Sequence, residues 1–254
     1  MRYTIFSTFI FSMIFSCQLS ANAVQGDKIF TTSEITDHIG PPNHKLFNEI
    51  LTVYVSNDGI VDYSGIKSDV AKLDNYISEL QGHAPTSDWS NDETLAYWIN
   101  VYNAFTIKLI TDNYPLNSIT DLYSGKPWDH KWIEIGGKTL SLNQVENEII
   151  RPTFNEPRIH FAVNCAAKSC PPLANEAFTA DNLNSLLEKR TKAFVNDSLY
   201  NDLSTSPAQL SKIFDWYGVD FGNVDAFINK YKKDSVSSVS SHGFTDYNWE
   251  LNGK

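Results

Sequence analysis

Glycine and proline are sparse in this chain, 12 and 10 residues out of 254. That scarcity excludes collagen-like and low-complexity architectures. With 42% hydrophobic residues it leaves a chain able to bury a substantial core. Positive charge is also in deficit, since 20 Lys and Arg face 30 Asp and Glu for a net charge of −10. Sequence-independent binding to nucleic acid needs a basic face, as does docking on an anionic membrane, so both are disfavoured. Beyond the N-terminal segment no run of about 18 apolar residues occurs, and no membrane span is expected. Also missing are a phosphate-binding loop, a dinucleotide fingerprint and a Gly-x-Ser-x-Gly elbow. Neither an internal repeat nor a composition break divides the sequence. It reads as one α+β domain, mostly helical with a small β-sheet.

The single long apolar run is at the start. Arg2 supplies a positive end, Ile5 to Cys17 an apolar stretch and Ala21-Asn22-Ala23 a cleavage site, so residues 1–23 read as a secretory signal peptide. Lipid attachment at Cys17 is the competing reading, although Phe15 fits a lipoprotein box poorly. Export would place the mature chain in the periplasm or outside the cell, where conditions are oxidising. Residues 24–43 are polar, end in Gly40-Pro41-Pro42 and read as a flexible leader, followed by a single domain over 44–254. Of the three cysteines only Cys165 and Cys170 then remain.

Periodicity predicts helices near 44–54, 66–80, 181–196 and 223–232. Ser90 and Glu93 have capping-box spacing and open a central helix over about 93–111, apolar nearly all round and therefore buried. Residues 132–140 predict a hairpin turning at Gly136-Gly137. A second capping box, Ser141 to Gln144, starts a helix expected to stop at Arg151-Pro152. The β-branched and aromatic content of 159–165 predicts a core strand.

Polar residues in apolar settings mark the chemistry. Asn100 and Asn103 lie three apart on the central helix, so both amides must find partners among backbone, side chains or ligand. Glu146 falls on the apolar stripe of its helix and must be paired, hydrogen-bonded or protonated, with Arg151 and Arg158 the nearby cations. Cys165 stands where the predicted strand ends. Alternation along that strand would put His160, Ala162 and Asn164 on the face opposite Cys165, so a base for the thiol must come from elsewhere, with His130, His242 and Glu146 as candidates. Lys168 is close enough in sequence to lower a thiol pKa. A Cys165–Cys170 disulfide is sterically possible and rates equally with a free nucleophile. Zinc is the weaker option, because no further Cys or closely spaced His pair completes a shell. No metal and no cofactor is expected.

Three of these segments, with their flanks, resemble the domain of unknown function 547 family. The matching pieces are Trp98-Ile99-Asn100-Val101-Tyr102-Asn103-Ala104, Gly136-Gly137-Lys138 leading to Ser141-Leu142 and Val145-Glu146, and Arg151-Pro152. They continue through Arg158-Ile159-His160-Phe161-Ala162, Cys165, Ser169-Cys170-Pro171-Pro172-Leu173 and Tyr247-Asn248-Trp249-Glu250-Leu251-Asn252. The resemblance spans roughly 45–252. It implies a His after the Glu at 146, where this chain has Asn147, and a Gly after the first Cys, where it has Ala166. Some relatives lack the second Cys, which favours Cys165 as the residue of interest.

The expectation is therefore an exported thiol-dependent hydrolase or acyl transferase. Cys165 would be the nucleophile, Glu146 or a distant His the base, Asn103 or Asn100 the oxyanion or orienting amide, and Cys170 the thiol partner. Arg151, Lys168 and Trp98 are assigned to substrate binding, the substrate being a small molecule, a peptide or an envelope component. A non-catalytic envelope protein held by a Cys165–Cys170 disulfide is the alternative.

Overall fold

Ser90 starts the longest helix by the capping chemistry its spacing predicts. Its Oγ accepts from the Glu93 N–H at 3.2 Å, and a Glu93 carboxylate oxygen accepts from the Ser90 N–H at 2.7 Å. The computed structural model describes Met1 and residues 40–254. Residues 2–39, which hold Cys17 and most of the segments expected to be a signal peptide and a flexible leader, lie outside the described residues. Three helices precede the capped one: α1 (Lys45–Tyr54), α2 (Tyr63–Ser68) and α3 (Val70–Gly82). The single helix expected over 66–80 is thus two, broken at Asp69, whose φ of −116° and ψ of 32° are not helical.

The capped helix, α4 (Asn91–Asn113), is buried from Leu95 to Thr111 apart from Lys108. Helices α2 and α3 pack along it. Apolar side chains all round its axis allow this, since a helix with one polar face would sit at the surface.

After α4 the chain makes three short 3₁₀ turns between Ile119 and Asp129 and enters the predicted hairpin, β1 (Ile133–Ile135) against β2 (Lys138–Leu140). Gly136 and Gly137 have φ of 58° and 74°, the left-handed values that a tight two-residue turn requires at both central positions. The helix after Ser141 begins as α5 (Leu142–Gln144), widens into a π-helical stretch at Val145–Ile150 and ends as α6 (Arg151–Phe154). It does not stop at Arg151-Pro152 as expected. Proline lacks an N–H and crowds the carbonyl one turn back, and a wider π turn just before Pro152 accommodates both defects.

The predicted core strand at 159–165 is not a strand. Pro157–Phe161 forms a 3₁₀ helix, capped by the Glu156 side chain accepting from the Arg158 N–H, and the chain then turns irregularly into Cys165. The apolar, β-branched content there reflects burial rather than sheet pairing. The face alternation inferred for His160 and Cys165 therefore does not hold.

The remaining elements are α7 (Leu183–Val195), β3 (Ala208–Leu210), α8 (Ile213–Trp216), α9 (Gly218–Phe221), α10 (Val224–Tyr231) and β4 (His242–Phe244), with β3 and β4 paired in parallel. Residues 40–254 belong to one compact unit with two apolar cores. One surrounds α4 and the other is largely aromatic, built from Phe161, Phe194, Phe214 and Phe221. Among the described residues no helix is long and apolar enough to cross a membrane. The C-terminal segment returns to the first core, where Gly253 lies so close to Val61 that an added Cβ would stand 2.2 Å from the Val61 carbonyl oxygen. Its Leu251 bridges to Ala167, beside the Cys165 loop.

Candidate active site

Amides from three parts of the chain hold the loop at Cys165. Asn103 on α4 accepts from the Asn164 N–H at 2.8 Å and donates to the Ala162 carbonyl at 2.9 Å. The Asn164 side chain accepts from the Ala166 N–H at 2.9 Å and from Asn252 Nδ2 at 3.1 Å, and donates to the Pro171 carbonyl at 2.9 Å. Side chains thus satisfy the Asn164 and Ala166 N–H groups and the Ala162 carbonyl, while the Ala162 and Val163 N–H groups donate to the Ile159 carbonyl. Ala166 adopts a φ of 62°, the left-handed region that L-residues avoid. The resulting bend turns Cys165 out of the core, where it stays partly exposed.

Both thiols are free, so the structure lends no support to the disulfide alternative. The Cys165 N–H donates to Cys170 Sγ at 2.9 Å, and Cys165 Sγ lies 3.1 Å from the Tyr247 hydroxyl. Hydrogen bonding with the Cys170 thiol lowers the Cys165 pKa against the opposing effect of burial, and the Tyr247 hydroxyl and the Ala167 N–H lower it further. Burial drives the Cys170 pKa well up, so the pair divides into a thiol prone to ionise and one held neutral.

Glu146 sits in the π-helical stretch, buried as its place on the apolar stripe predicts. Neither expected arginine pairs with it directly. Arg151 makes a bidentate contact with Asp220, Nε to Oδ2 at 2.6 Å and Nη2 to Oδ1 at 2.8 Å, and donates to Asn147 Oδ1 at 2.7 Å. Arg158 pairs with Glu156 at 2.6 Å. The side chains around Glu146 are tyrosines and a histidine. Tyr217 has its pKa raised first by burial and then by the Glu146 charge, and Tyr102 likewise. His160 Nε2 bonds Asp220 Oδ2 at 2.7 Å, while its Nδ1 is buried, makes no hydrogen bond and lies 3.9 Å from Glu146 Oε1. The imidazole stacks on Tyr217 with centroids 4.0 Å apart. An unpaired buried ring nitrogen facing a carboxylate is costly and rare.

Cys165 and Glu146 open into one cleft of about 320 Å³. Tyr102, Tyr217, Asn143 and Asn147 line it on the Glu146 side, and Trp128, Trp216, Tyr247 and Trp249 form an aromatic wall beside Cys165. The volume is at the small end of ligand pockets, about 300–1,000 Å³, and suits a group the size of one ring.

The structure brings Cys165, Cys170 and Glu146 together, with Asn103 holding the loop from behind and Arg151 bracing α6 against α9. It does not bring the others. Asn100 clamps Phe178, donating to its carbonyl at 2.6 Å and accepting from its N–H at 3.1 Å. Trp98 packs edge-on against Tyr97 inside the first core, and Lys168 pairs with Glu250 at 2.5 Å on the surface. Neither lines the cleft. His130 stacks on Tyr123, and His242 bonds Asp225 at 2.6 Å. His160 and Asp220 were missed. The assumed strand hid the first, and nothing local distinguishes the second from other surface aspartates.

No curated protein and no solved structure matches the chain. A family model does match, covering α4 through α7 and with them Asn103, Glu146, His160 and Cys165. Residues 86–195 match the model of the family described as protein of unknown function, DUF547.

Proposed function

We propose that the cleft is the active site of an exported thiol-dependent hydrolase or acyl transferase, with Cys165 as nucleophile and Glu146 as base. One observation carries this reading: a partly exposed thiol of lowered pKa shares a small cleft with a buried carboxylate. In the reaction, Glu146 takes the Cys165 proton and the sulfur adds to an acyl carbonyl. The new C–S bond replaces the bond to the leaving group, which departs with the proton from Glu146. Water, or an alcohol or amine acceptor, then attacks the thioester, gives its proton to Glu146 and takes the acyl group. Glu146 finally returns the proton to sulfur. The amides of Asn100 and Asn103 are committed to backbone groups, so their part is positioning. His160, anchored by Asp220, holds the far side of Glu146.

Alkylation of the reduced full-length chain with iodoacetamide across pH, mapped by mass, tests the proposal. Cys165 should react with a midpoint below about 8.5, the value for a free cysteine, while Cys170 stays protected. Chromogenic acyl esters should leave an acyl adduct on Cys165 that Glu146→Gln slows. An unreactive Cys165, or adducts that ignore Glu146→Gln, would sink the assignment.

A further inference from the structure

The aromatic wall beside Cys165 is more than packing. Trp249 lies at its centre, with ring centroids 5.3 Å from Trp128, 5.8 Å from Trp216 and 4.5 Å from Tyr247. Trp216 is nearly parallel to Trp249, at 22°, and keeps 46% of its surface exposed. Three rings come from the chain's last forty residues, on α8 and the C-terminal segment, and Trp128 comes from the turn before β1. Separate elements thus converge on one π surface beside Cys165, exposed at Trp216 and partly exposed at Trp128, Tyr247 and Trp249. The opposite edge is polar: Asn147 donates to Asn143 Oδ1 at 2.6 Å, an arrangement that leaves the Asn143 N–H groups to a ligand.

Exposed indole faces take three kinds of guest: a cation, a flat base, or a sugar ring whose axial C–H bonds point at the π cloud. Asp129 and Glu146 outweigh Lys126 in the lining, so a cation is the competing guest, but a cation offers no acceptor to the Asn143 N–H groups. A nucleotide is disfavoured because its phosphates meet a chain of net charge −10. A pyranose fits what remains, its C–H face on the indoles and its hydroxyls toward Asn143 and Asn147. We infer that the cleft binds an acylated sugar, the ring stacked on Trp216 and Trp249 and the ester or amide carbonyl placed at Cys165. This deepens the proposed function and rests on it for the chemistry, though not for the binding.

The experiment uses the full-length Cys165→Ser variant, which cannot form a thioester, and follows tryptophan fluorescence during titration with four probes. These are an O-acetylated methyl glucoside, the N-acetylglucosamine disaccharide, the parent unacetylated glucoside and acetylcholine. A saturable change with one of the acetylated sugars, at least fivefold tighter than with the parent, is expected, and the two acetylated probes separate ester from amide. Trp216→Ala on the same background should weaken it tenfold or more. Circular dichroism confirms that this exposed position has not altered the fold. A response to acetylcholine alone, no saturable response to any sugar, or an unchanged affinity in Trp216→Ala overturns the inference. Selective Cys165 alkylation without sugar binding leaves the thiol reading standing and removes only the sugar. Sugar binding without Cys165 reactivity does the reverse.

Discussion

Ala166 shows how one residue's backbone sets the candidate chemistry. Its φ of 62° turns the chain so that Cys165 leaves the core while Asn164 stays within it. Left-handed backbone costs an alanine about 1–2 kcal/mol and a glycine little. Ala166→Gly relieves that strain but removes a buried methyl worth about 0.8 kcal/mol, so the urea midpoint should change little, with Cys165 alkylation unaltered. The family resemblance, which implies glycine here, fits the same requirement. Asp220 offers a second test at this scale. Its carboxyl is held far below the usual range, first by the hydrogen bond to His160 and then by Arg151. A depressed carboxylate contributes stability that is fully present above its unfolded pKa of about 3.9 and is lost as pH falls through the folded value. Urea unfolding should show the wild type losing stability below pH 4 more steeply than Asp220→Asn, and Asp220→Asn should be the less stable protein at neutral pH.

At the scale of elements, α4 is a scaffold whose two buried amides do different jobs. Asn100 clamps the Phe178 backbone and Asn103 clamps the loop to Cys165. Replacing either by alanine strands a buried N–H and a buried carbonyl, at about 1–3 kcal/mol for each group. Both variants should unfold at clearly lower urea. Only Asn103→Ala should also change the rate of Cys165 alkylation, and equal effects of the two on that rate would refute this division. The central helix, its capping box, the hairpin and the buried Glu146 were all legible, because capping spacing, tight-turn glycines and helical periodicity are local signals. The irregular passage from Pro157 to Cys165 was not. Its apolar content is what a strand would show, and the Asn103 amide that holds its backbone lies some sixty residues away in sequence. Likewise the helix at 142–154 was expected to end at Pro152, and a π turn carries it through.

Across the whole molecule, the first core rests on a contact outside the candidate site. His44, 3% exposed at the start of α1, places Nδ1 2.7 Å from the Tyr76 hydroxyl on α3, and burial pushes its pKa down to about 4. The unfolded chain, with a histidine pKa of about 6.5, takes up the proton first. Stability should then fall as pH drops from about 6.5 to 4 and gain no further loss from this group below, in all about 3 kcal/mol. His44→Asn suits the left-handed backbone there, φ 56°, and should flatten that part of the curve in denaturant titrations. The cleft itself lies at the meeting of the two cores, with Tyr102 and Trp128 belonging to the first and Ile213, Tyr217 and Tyr247 to the second. The Arg151–Asp220 pair ties them together across that line.

What the sequence alone determined was the helical character, the buried helix at the centre and the presence of polar side chains inside it, because each depends on periodicity or on burial within a few residues. It also singled out Cys165 and Glu146, together with Cys170, Asn100, Asn103, Arg151, Lys168 and Trp98, as candidate site residues. The tertiary structure decided which polar residues meet. It brought His160 and Asp220 to the back of Glu146, set Asn100, Trp98 and Lys168 aside, and delivered Trp216, Tyr247 and Trp249 to the thiol. Those partners come from segments up to about a hundred residues apart, and no local propensity encodes a contact made only when two cores close on each other.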